Sequence, residues 1–347
     1  MNRPLDALRL PRGLGAPILT SNPVRRPECI GFLLAPRFSM LAFVCALEPL
    51  RVANRLAQRE LYRWETISVE GEPVIASNRM AVVADRSIRE RAAYDRLAVC
   101  AGFEPEALYD ERVRKWLRAH DRASVPLGAI DTGSFVLAHA GLLADYRATT
   151  HWESLESFRS QFPRVAIEPG LFAVDRSRFT CAGGTAAIDM MLHVVRLQHG
   201  HRLAAAVAEQ FIHARLREPK EHQRMGTQDR QGLSDPCLVK TIELMEANLE
   251  EPLSVRQLCR AVGVSQRRLE RGFHRQLQLS PRRYYLNLRL QRARALLQYT
   301  NLPVLETAVA CGFKGAPHFS RSYRAWAGKA PTADRQLMHE GILPALS

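Results

Sequence analysis

The sequence predicts two domains: an α/β sandwich with a mostly parallel sheet, then an all-α domain with two helix-turn-helix units. Three observations support this prediction. The first two thirds of the chain alternate short apolar runs with amphipathic stretches, as strands and helices in alternation do. Two helix-turn-helix patterns follow, and they begin 50 residues apart, at positions 253 and 303. The length of 347 residues is typical of two domains.

The elements of the first domain follow from the period of the apolar residues. Strands are predicted at residues 29–34, 63–69, 74–83 (as short pieces), 97–100, 125–130, 148–151, 165–173 and 179–182. Helices are predicted at residues 40–56, 106–119, 135–143, 185–198 and 202–217. Runs that are apolar throughout, such as 97–100, are typical of strands covered on both faces, which favours a parallel sheet.

The domain plan adds three less regular segments. Residues 1–26 are rich in Arg and Pro and are predicted to be a disordered extension. The α/β domain occupies residues 27–217, and the helical domain occupies residues 236–335. The polar residues 218–235 between them hold two Gly and one Pro, and Pro236 follows, a composition that is typical of a flexible linker. Residues 336–347 form a tail.

Charge and cysteine content narrow the class of protein. The net charge is +14, and residues 234–335 hold 17 Lys and Arg against 8 Asp and Glu. This basic excess favours a polyanionic partner. Seven cysteines without a C-x-x-C pair indicate reduced, buried thiols. No signal peptide or membrane-length apolar run is found, so we expect a cytoplasmic protein with no membrane partner. No metal or cofactor is expected.

The first helix-turn-helix unit begins with a capping box from Ser254 to Gln257. Gly263 suits the turn, and Ser265 caps the second helix. Leu269 and Phe273 stand one turn apart and form the inner face of that helix. Its outer face then carries Arg267, Glu270 and Arg271. Arg can contact guanine and Glu can contact cytosine at their major-groove edges, so this helix is predicted to contact bases.

A long helix over residues 281–298 joins the two units and carries arginines at 282, 283, 289, 292 and 294, some of which should contact phosphates. In the second unit, Pro317 suits a first helical turn, and Phe319 and Tyr323 repeat the inner pair. Around this inner pair stand Ala316, His318, Ser320, Arg321 and Arg324.

These motifs resemble the DNA-binding domain of the AraC/XylS family of transcription regulators. The resemblance rests on the pattern from Leu279-Ser280-Pro281 to Arg292-Ala293 and on the pattern from Ala310-Cys311-Gly312-Phe313 to Tyr323. It implies that the base-contacting positions are occupied by Arg267, Glu270 and Arg271 in the first unit. In the second unit it implies that they are occupied by Ala316, Pro317, Ser320 and Arg321. Thr307 stands where the family usually has a large apolar residue, which predicts a slightly weaker core in the second unit.

A sharp strand-to-helix turn at Ile130-Asp131-Thr132-Gly133 is the notable feature of the α/β domain. In open α/β sheets, ligands bind at the carboxyl ends of the strands. A side chain at such a turn therefore projects into the ligand crevice, and Asp131 occupies that position. Because Asp131 precedes a helix, the helix dipole is expected to stabilise its anionic form.

This turn resembles the nucleophile elbow of the class I glutamine-amidotransferase-like, or intracellular-protease-like, superfamily, which has a flavodoxin-like fold. The resemblance extends over residues 28–200 through segments such as Leu97–Gly102, Gly128–Ala138 and Thr180–Thr185. It is closest to the GlxA-type subgroup, in which such a domain precedes an AraC-type domain. The enzymes carry cysteine at the elbow, and the change to Asp131 removes the thiol chemistry.

We therefore interpret the elbow as a binding site for a small cationic ligand, with Asp131, His151, Trp152, Gly102 and Phe135 as candidates. A carboxylate with aromatic faces is suited to amines and quaternary ammonium groups. The alternatives are a helix cap for Asp131, a satisfied buried histidine for His151, ordinary core for Trp152 and a simple turn for Gly102.

The resulting hypothesis is a ligand-responsive transcription regulator and not an enzyme. Its subgroup includes regulators of glycine betaine, carnitine and arginine catabolism, which implies an activator of a catabolic operon. The implied partners are double-stranded promoter DNA, a small-molecule effector, RNA polymerase and a second copy of the chain. The alternatives are an amidase- or protease-like enzyme with a DNA-binding appendage, and a constitutive DNA binder whose first domain serves only assembly.

Overall fold

A computed structural model describes residues 26–299 and 302–339 of the chain. These residues belong to two compact units, which divide between Gln223 and Arg224. The predicted disordered extension lies outside the described residues except for position 26. The predicted tail lies outside them except for positions 336–339.

A seven-stranded sheet forms the centre of the first unit, in the order β10-β11-β7-β6-β1-β2-β5. All neighbouring pairs are parallel except β10 with β11. Two further pairs, β3 with β4 and β8 with β9, form small separate sheets. The strands are β1 (Glu28–Leu34), β2 (Tyr62–Ser68), β3 (Val74–Ile75), β4 (Ala81–Val82), β5 (Arg86–Ser87), β6 (Arg96–Cys100), β7 (Leu127–Ile130), β8 (Arg147–Ala148), β9 (Ala166–Ile167), β10 (Phe172–Asp175) and β11 (Arg178–Cys181).

Helices cover both faces of this sheet, as the predicted α/β sandwich requires. The helices are α1 (Met40–Ala57), α2 (Glu111–Arg122), α3 (Gly133–His139), α4 (Leu155–Gln161), α5 (Ala186–His199) and α6 (His201–Gln210), with 3-10 turns at Pro105–Leu108 and Trp152–Ser154. One core holds buried residues of α1, α5 and α6, and the other holds those of α2, α3 and α4. Along β6, Ala98 and Cys100 enter the first core, whereas Leu97 and Val99 enter the second.

Two helix predictions in this unit require correction. The predicted helix at 106–119 is divided, because Asp110 accepts a hydrogen bond from the backbone N–H of Arg112 and begins a new helix. The predicted helix at 202–217 ends at Gln210, and Ile212 adopts a left-handed backbone with φ of 55°. Residues 211–217 are therefore not helical, although their composition does not exclude a helix.

The residues predicted as a flexible linker pack against the two units. Up to Gln223 they belong to the first unit, where Gly170 and His222 form a β-bridge. From Arg224 onward they belong to the second unit, where α7 (Thr227–Gln231) packs on the helix that follows. Composition does not predict that these residues are ordered. The hydrogen bonds that hold residues 218–223 join the side chain of Gln223 to backbone carbonyl oxygens far away in the sequence.

The second unit is all-α, as predicted. Its remaining helices are α8 (Pro236–Ala247), α9 (Val255–Val262), α10 (Gln266–Leu277), α11 (Pro281–Tyr299), α12 (Val304–Ala310), α13 (Ala316–Ala327) and α14 (Pro331–His339). Two cores form, one around Leu269 and Phe273 and the other around Phe319 and Tyr323. Helix α11 contributes to both, since Tyr284 lies in the first core and Leu297 in the second.

The predicted caps of the first helix-turn-helix unit are confirmed. Ser254 and Gln257 form both bonds of the capping box at the start of α9. Gly263 ends that helix with a left-handed φ of 73°. The Ser265 hydroxyl accepts from the backbone N–H of Arg268 and begins α10. In the second helix-turn-helix unit, Thr307 is fully buried and its hydroxyl has no hydrogen-bond partner, which agrees with the weaker core predicted for that unit.

Close approach of two backbones lets α3 begin directly beyond β7. A Cβ atom on Gly133 would lie 2.1 Å from the carbonyl oxygen of Val99 in β6. Only glycine fits there without a shift of the backbone. We therefore expect Gly133→Ala to lower the free energy of unfolding of the first unit by about 1–3 kcal/mol, measured by urea denaturation with tryptophan fluorescence.

Gly226→Ala provides the control for this substitution. Gly226 has no atom within 4 Å of the position of an added Cβ, and its φ of −52° is open to alanine. It should change stability by only a few tenths of a kcal/mol. Equal stability of the Gly133→Ala variant and the parent would contradict the steric argument.

Candidate functional site

The elbow after β7 has the strained backbone that a projecting side chain requires. Asp131 has φ of 61°, a left-handed conformation that non-glycine residues adopt rarely. Its N–H donates to the carbonyl oxygen of Cys181 at 3.0 Å. Its own carbonyl oxygen accepts from the hydroxyls of Thr150, at 3.0 Å, and Ser134, at 3.2 Å. Three separate segments thus hold Asp131 at the carboxyl edge of the sheet.

The carboxylate of Asp131 lies against the loop that follows β11. An added Cβ on Gly183 would lie 2.6 Å from Asp131 Oδ2, so glycine is needed there on steric grounds as well as for its φ of 84°. Thr132, and not Asp131, holds the N-cap position of α3, and no side chain caps that helix. Asp131 is therefore not the N-cap residue of α3.

Burial, with a smaller contribution from the nearby Glu153, raises the pKa of Asp131 to about 7, although a hydrogen bond from the Thr132 N–H lowers it. The net shift is opposite to the stabilisation of the anion that the helix dipole was expected to give. Helix α3 has only seven residues, and loss of water around the carboxylate outweighs its dipole. An acid that ionises near neutral pH remains available to a cation that enters the site.

His151 and Trp152 directly follow Thr150, whose hydroxyl donates to the carbonyl oxygen of Asp131 at the elbow. The ring centroids of His151 and Trp152 are 5.5 Å apart, and Trp152 is 38% exposed. The Nδ1 atom of His151 lies 3.8 Å from Oε2 of Glu153. Burial lowers the pKa of His151, an effect that outweighs the opposing charge of Glu153, so the imidazole is neutral at neutral pH. The structure thus brings two acids, a neutral imidazole and a partly exposed indole to one sheet edge.

The other two candidates have different roles. Phe135 is 1% exposed and packs edge-on against Phe158, so it belongs to the core and does not line a crevice; its prediction is corrected. Position 102 needs glycine on steric grounds, because an added Cβ on Gly102 would lie 2.8 Å from the carbonyl oxygen of Arg37. Its carbonyl oxygen accepts from the Thr132 hydroxyl at 2.6 Å, which ties the neighbouring loop to the elbow.

Sequence reasoning missed Glu153, Thr150 and Gly183. Glu153 stands two residues after His151 and could have been found as an acid beside a histidine and a tryptophan. The hydrogen bond from Thr150 and the approach of Gly183 depend on contacts across the sheet edge and have no local signal. Residues 26–299 and 302–339 contain no cluster of three side chains that could hold a metal ion.

Two cysteines flank the elbow strand. Cys100 and Cys181 both pair in register with Ile130 and are buried. Burial raises the pKa of Cys181 to about 12 and also raises that of Cys100. Neither thiol is ionised near neutral pH, so neither replaces the sulfur that the enzymes of this fold carry at the elbow.

The base-contacting candidates of the first helix-turn-helix unit are accessible. Leu269, Gly272 and Phe273 form the buried face of α10. Arg267, Glu270 and Arg271 are all exposed, as a helix that enters the major groove requires. Glu270 accepts a hydrogen bond from Gln266 at 2.8 Å.

Helix α13, in the second helix-turn-helix unit, also has one buried and one exposed face. Phe319 and Tyr323 are buried, whereas Pro317 and Arg321 are exposed. Ala316 and Ser320 are partly buried on the same helix. Pro317 lies within the first two helical positions, as predicted.

The predicted phosphate contacts of α11 divide into two groups. Arg282 and Arg283 are exposed. In contrast, the guanidinium of Arg289 donates to the carbonyl oxygens of Cys311 and Gly312, each at 2.7 Å. Arg294 lies 3.3 Å from the buried carboxylate of Asp334, so its predicted role at phosphates is corrected to a structural one.

The fold and the exposed faces of α10 and α13 define a DNA-binding regulator that carries an enzyme-like α/β domain. Residues 32–197 match the DJ-1/PfpI family, and residues 258–337 match a helix-turn-helix domain family. No helix in the described ranges has the length and apolar character needed to cross a membrane.

Known proteins place the chain within a family. From Pseudomonas aeruginosa, the HTH-type transcriptional regulator GbdR is 45% identical over 90% of this chain and 85% of its own length, and CdhR is 46% identical over 88% and 91%. The regulator ArgR of the same organism is 37% identical over 91% of this chain and 95% of its own length. The chain therefore belongs to the HTH-type transcriptional regulators that join a DJ-1/PfpI domain to an AraC-type helix-turn-helix domain.

The raised pKa of Asp131 predicts how stability depends on pH. The folded protein holds a proton on Asp131 that the unfolded chain releases at its ordinary pKa of 3.8. The contribution of this group to the free energy of unfolding is therefore lost as pH rises from about 4 to 7. We expect the free energy of unfolding of Asp131→Asn, relative to that of the parent, to rise by about 1–3 kcal/mol from pH 5 to pH 8, measured by urea denaturation.

Asp145→Asn is the matched control, because Asp145 shares a left-handed φ, of 63°, and is exposed. Its stability relative to the parent should not change over the same interval. Parallel pH profiles of Asp131→Asn and the parent would contradict the raised pKa.

Proposed function

We propose that the first unit binds a small cationic ligand at the Asp131 elbow and that the second unit carries the response to promoter DNA. The ligand is an amine or amino-acid derivative of the glycine betaine, carnitine or arginine type. The observation that carries this proposal is the placement of the buried Asp131 and of Glu153 at one sheet edge, where the charge of Glu153 disfavours the ionisation of Asp131. A cation relieves this repulsion by interacting with both carboxylates.

The aromatic side of the site supports the same ligand class. Trp152 is partly exposed beside His151, and an indole face attracts ammonium and quaternary ammonium groups. Because His151 is neutral, it does not repel a cation. We therefore propose Asp131, Glu153, His151 and Trp152 as the ligand-binding residues.

The absence of sulfur from the elbow favours sensing over catalysis. The left-handed backbone of an elbow is present, but its side chain is the carboxylate of Asp131. The two neighbouring thiols are buried and protonated. We infer that the unit is not an amidase or protease, since acyl transfer at this position needs an activated nucleophile.

On the DNA side, we propose that Arg267, Glu270 and Arg271 on α10 contact bases in one major-groove segment. Ala316, Pro317, Ser320 and Arg321 on α13 contact bases in the next one. Their accessibility supports this assignment. We further propose a cytoplasmic homodimer that contacts RNA polymerase and activates a catabolic operon, on the basis of the family to which the chain belongs.

Ligand binding can be tested by thermal shift with glycine betaine, carnitine, choline and arginine. At a concentration 100 times the Kd, one bound ligand should stabilise the protein by about 2.7 kcal/mol. Asp131→Asn should lose this stabilisation, because it removes a negative charge from the site. Asp145→Asn should keep it. Stabilisation that survives in Asp131→Asn would place the ligand elsewhere, and no stabilisation by any compound would favour a constitutive DNA binder.

Base contact can be tested with Arg271→Ala on a DNA site selected by the parent protein from random sequences. Binding to that site should weaken by about 1–3 kcal/mol, with relaxed base preference at one position, measured by fluorescence anisotropy. Arg282→Ala, at an exposed position of α11, should weaken binding to selected and unrelated DNA alike. Equal loss on both kinds of DNA for Arg271→Ala would contradict its proposed role.

A further inference from the structure

Residues 211–223, which we name the strap, run from the end of α6 to the end of the first unit. Besides the backbone bridge between Gly170 and His222, two sets of side-chain contacts anchor the strap. At the first, the Arg217 guanidinium donates to Asp189 at 2.6 and 3.0 Å and to the hydroxyl of Thr185 at 2.8 Å. His213 Nε2 lies 2.9 Å from Asp189 Oδ1. Asp189 is 2% exposed, so this anchor is charged and buried.

The second anchor is Gln223, the last residue of the first unit. Its Nε2 atom donates to the carbonyl oxygens of Gly170, at 2.8 Å, and Thr150, at 3.0 Å, and to the hydroxyl of Thr149, at 3.1 Å. Two of these partners can only accept, which determines which end of the amide faces them. The next residue, Arg224, begins the second unit.

Both anchors hold the loops that touch Asp131. Thr150, bound by Gln223 through its carbonyl oxygen, donates its hydroxyl to the carbonyl oxygen of Asp131 at 3.0 Å. Thr185, bound by Arg217, stands two residues after Gly183, whose missing Cβ makes room for the Asp131 carboxylate. One segment thus joins the two sides of the elbow and then continues into the second unit.

We propose that the strap transmits ligand binding at the elbow to the DNA-binding unit by engaging or releasing Gln223. This inference rests on the proposed ligand site. A ligand bound to Asp131 and Glu153 changes the position of the Thr150–His151 loop, which provides an acceptor for Gln223. The position of Gln223 then determines where the second unit begins.

The two anchors differ in strength, which identifies the end that moves. The Arg217–Asp189 contacts are charge-assisted and buried, and breaking them leaves an unpaired buried charge. The Gln223 contacts are neutral hydrogen bonds, which contribute less and are exchanged more readily for water. Release therefore occurs at Gln223 while the Arg217 end stays fixed, so the strap acts as a hinged segment.

Hydrogen exchange on the full chain tests the transmission, with the compound of the thermal-shift panel that stabilises the protein as the probe. In the parent, the probe should protect peptides of the elbow, residues 127–135, and change exchange of residues 218–224 by about fivefold. In Gln223→Ala, elbow protection should remain and the change at 218–224 should disappear. His222→Ala, which alters an exposed neighbour, should behave like the parent. A retained change in Gln223→Ala would overturn the proposal.

A second arm needs no ligand, so the coupling can be judged separately from the ligand site. Thr150→Val keeps the shape of the side chain but removes its hydrogen bond to Asp131. It should accelerate exchange of residues 218–224 by about fivefold. If no probe protects the elbow but Thr150→Val has this effect, the ligand proposal fails and the coupling stands. Unchanged exchange at 218–224 in Thr150→Val would overturn the coupling.

Discussion

The left-handed backbone of Asp131 is the constraint on which the arrangement of the first unit depends. It turns the chain from β7 into α3 within two residues, and Gly133 permits this because it has no Cβ against the Val99 carbonyl. The strained backbone is held by partners from the 150 loop and from β11. These partners also place Glu153, His151 and Trp152 beside the elbow, so one backbone conformation organises the whole candidate site.

The two units use charge in opposite ways. In the first unit, burial removes water from the carboxylate of Asp131, which makes the elbow sensitive to the charge of what enters it. In the second unit, the arginines of α10 stay in water, where they keep their reach toward a polyanion. The chain thus combines a carboxylate removed from water in the first unit with a solvated, cationic helix face in the second unit.

Much of the fold could be predicted, because periods of two and 3.6 residues are local properties of the sequence. The strands near residues 29, 63 and 97, helices α10 and α13 and the Ser265 cap of α10 were predicted closely, and the elbow was located. The errors concern distant contacts. Arg294 finds Asp334 across 40 positions, Gln223 finds Thr149 across 74, and Phe135 faces the core because α3 packs on that side. The pKa of Asp131 depends on burial, which no local pattern reports.

The internal arginines of the second unit bear on how its DNA affinity responds to salt. Arg289 is committed to the turn before α13, Arg294 lies against Asp334, and Arg335 donates to the carbonyl oxygen of Leu302. Cations held in this way release no counterions when DNA binds, since they do not neutralise phosphates. The affinity will therefore fall less steeply with ionic strength than the formal charge of residues 234–335 implies. Part of that formal charge belongs to the architecture of the unit, and the exposed arginines and lysines set its electrolyte dependence.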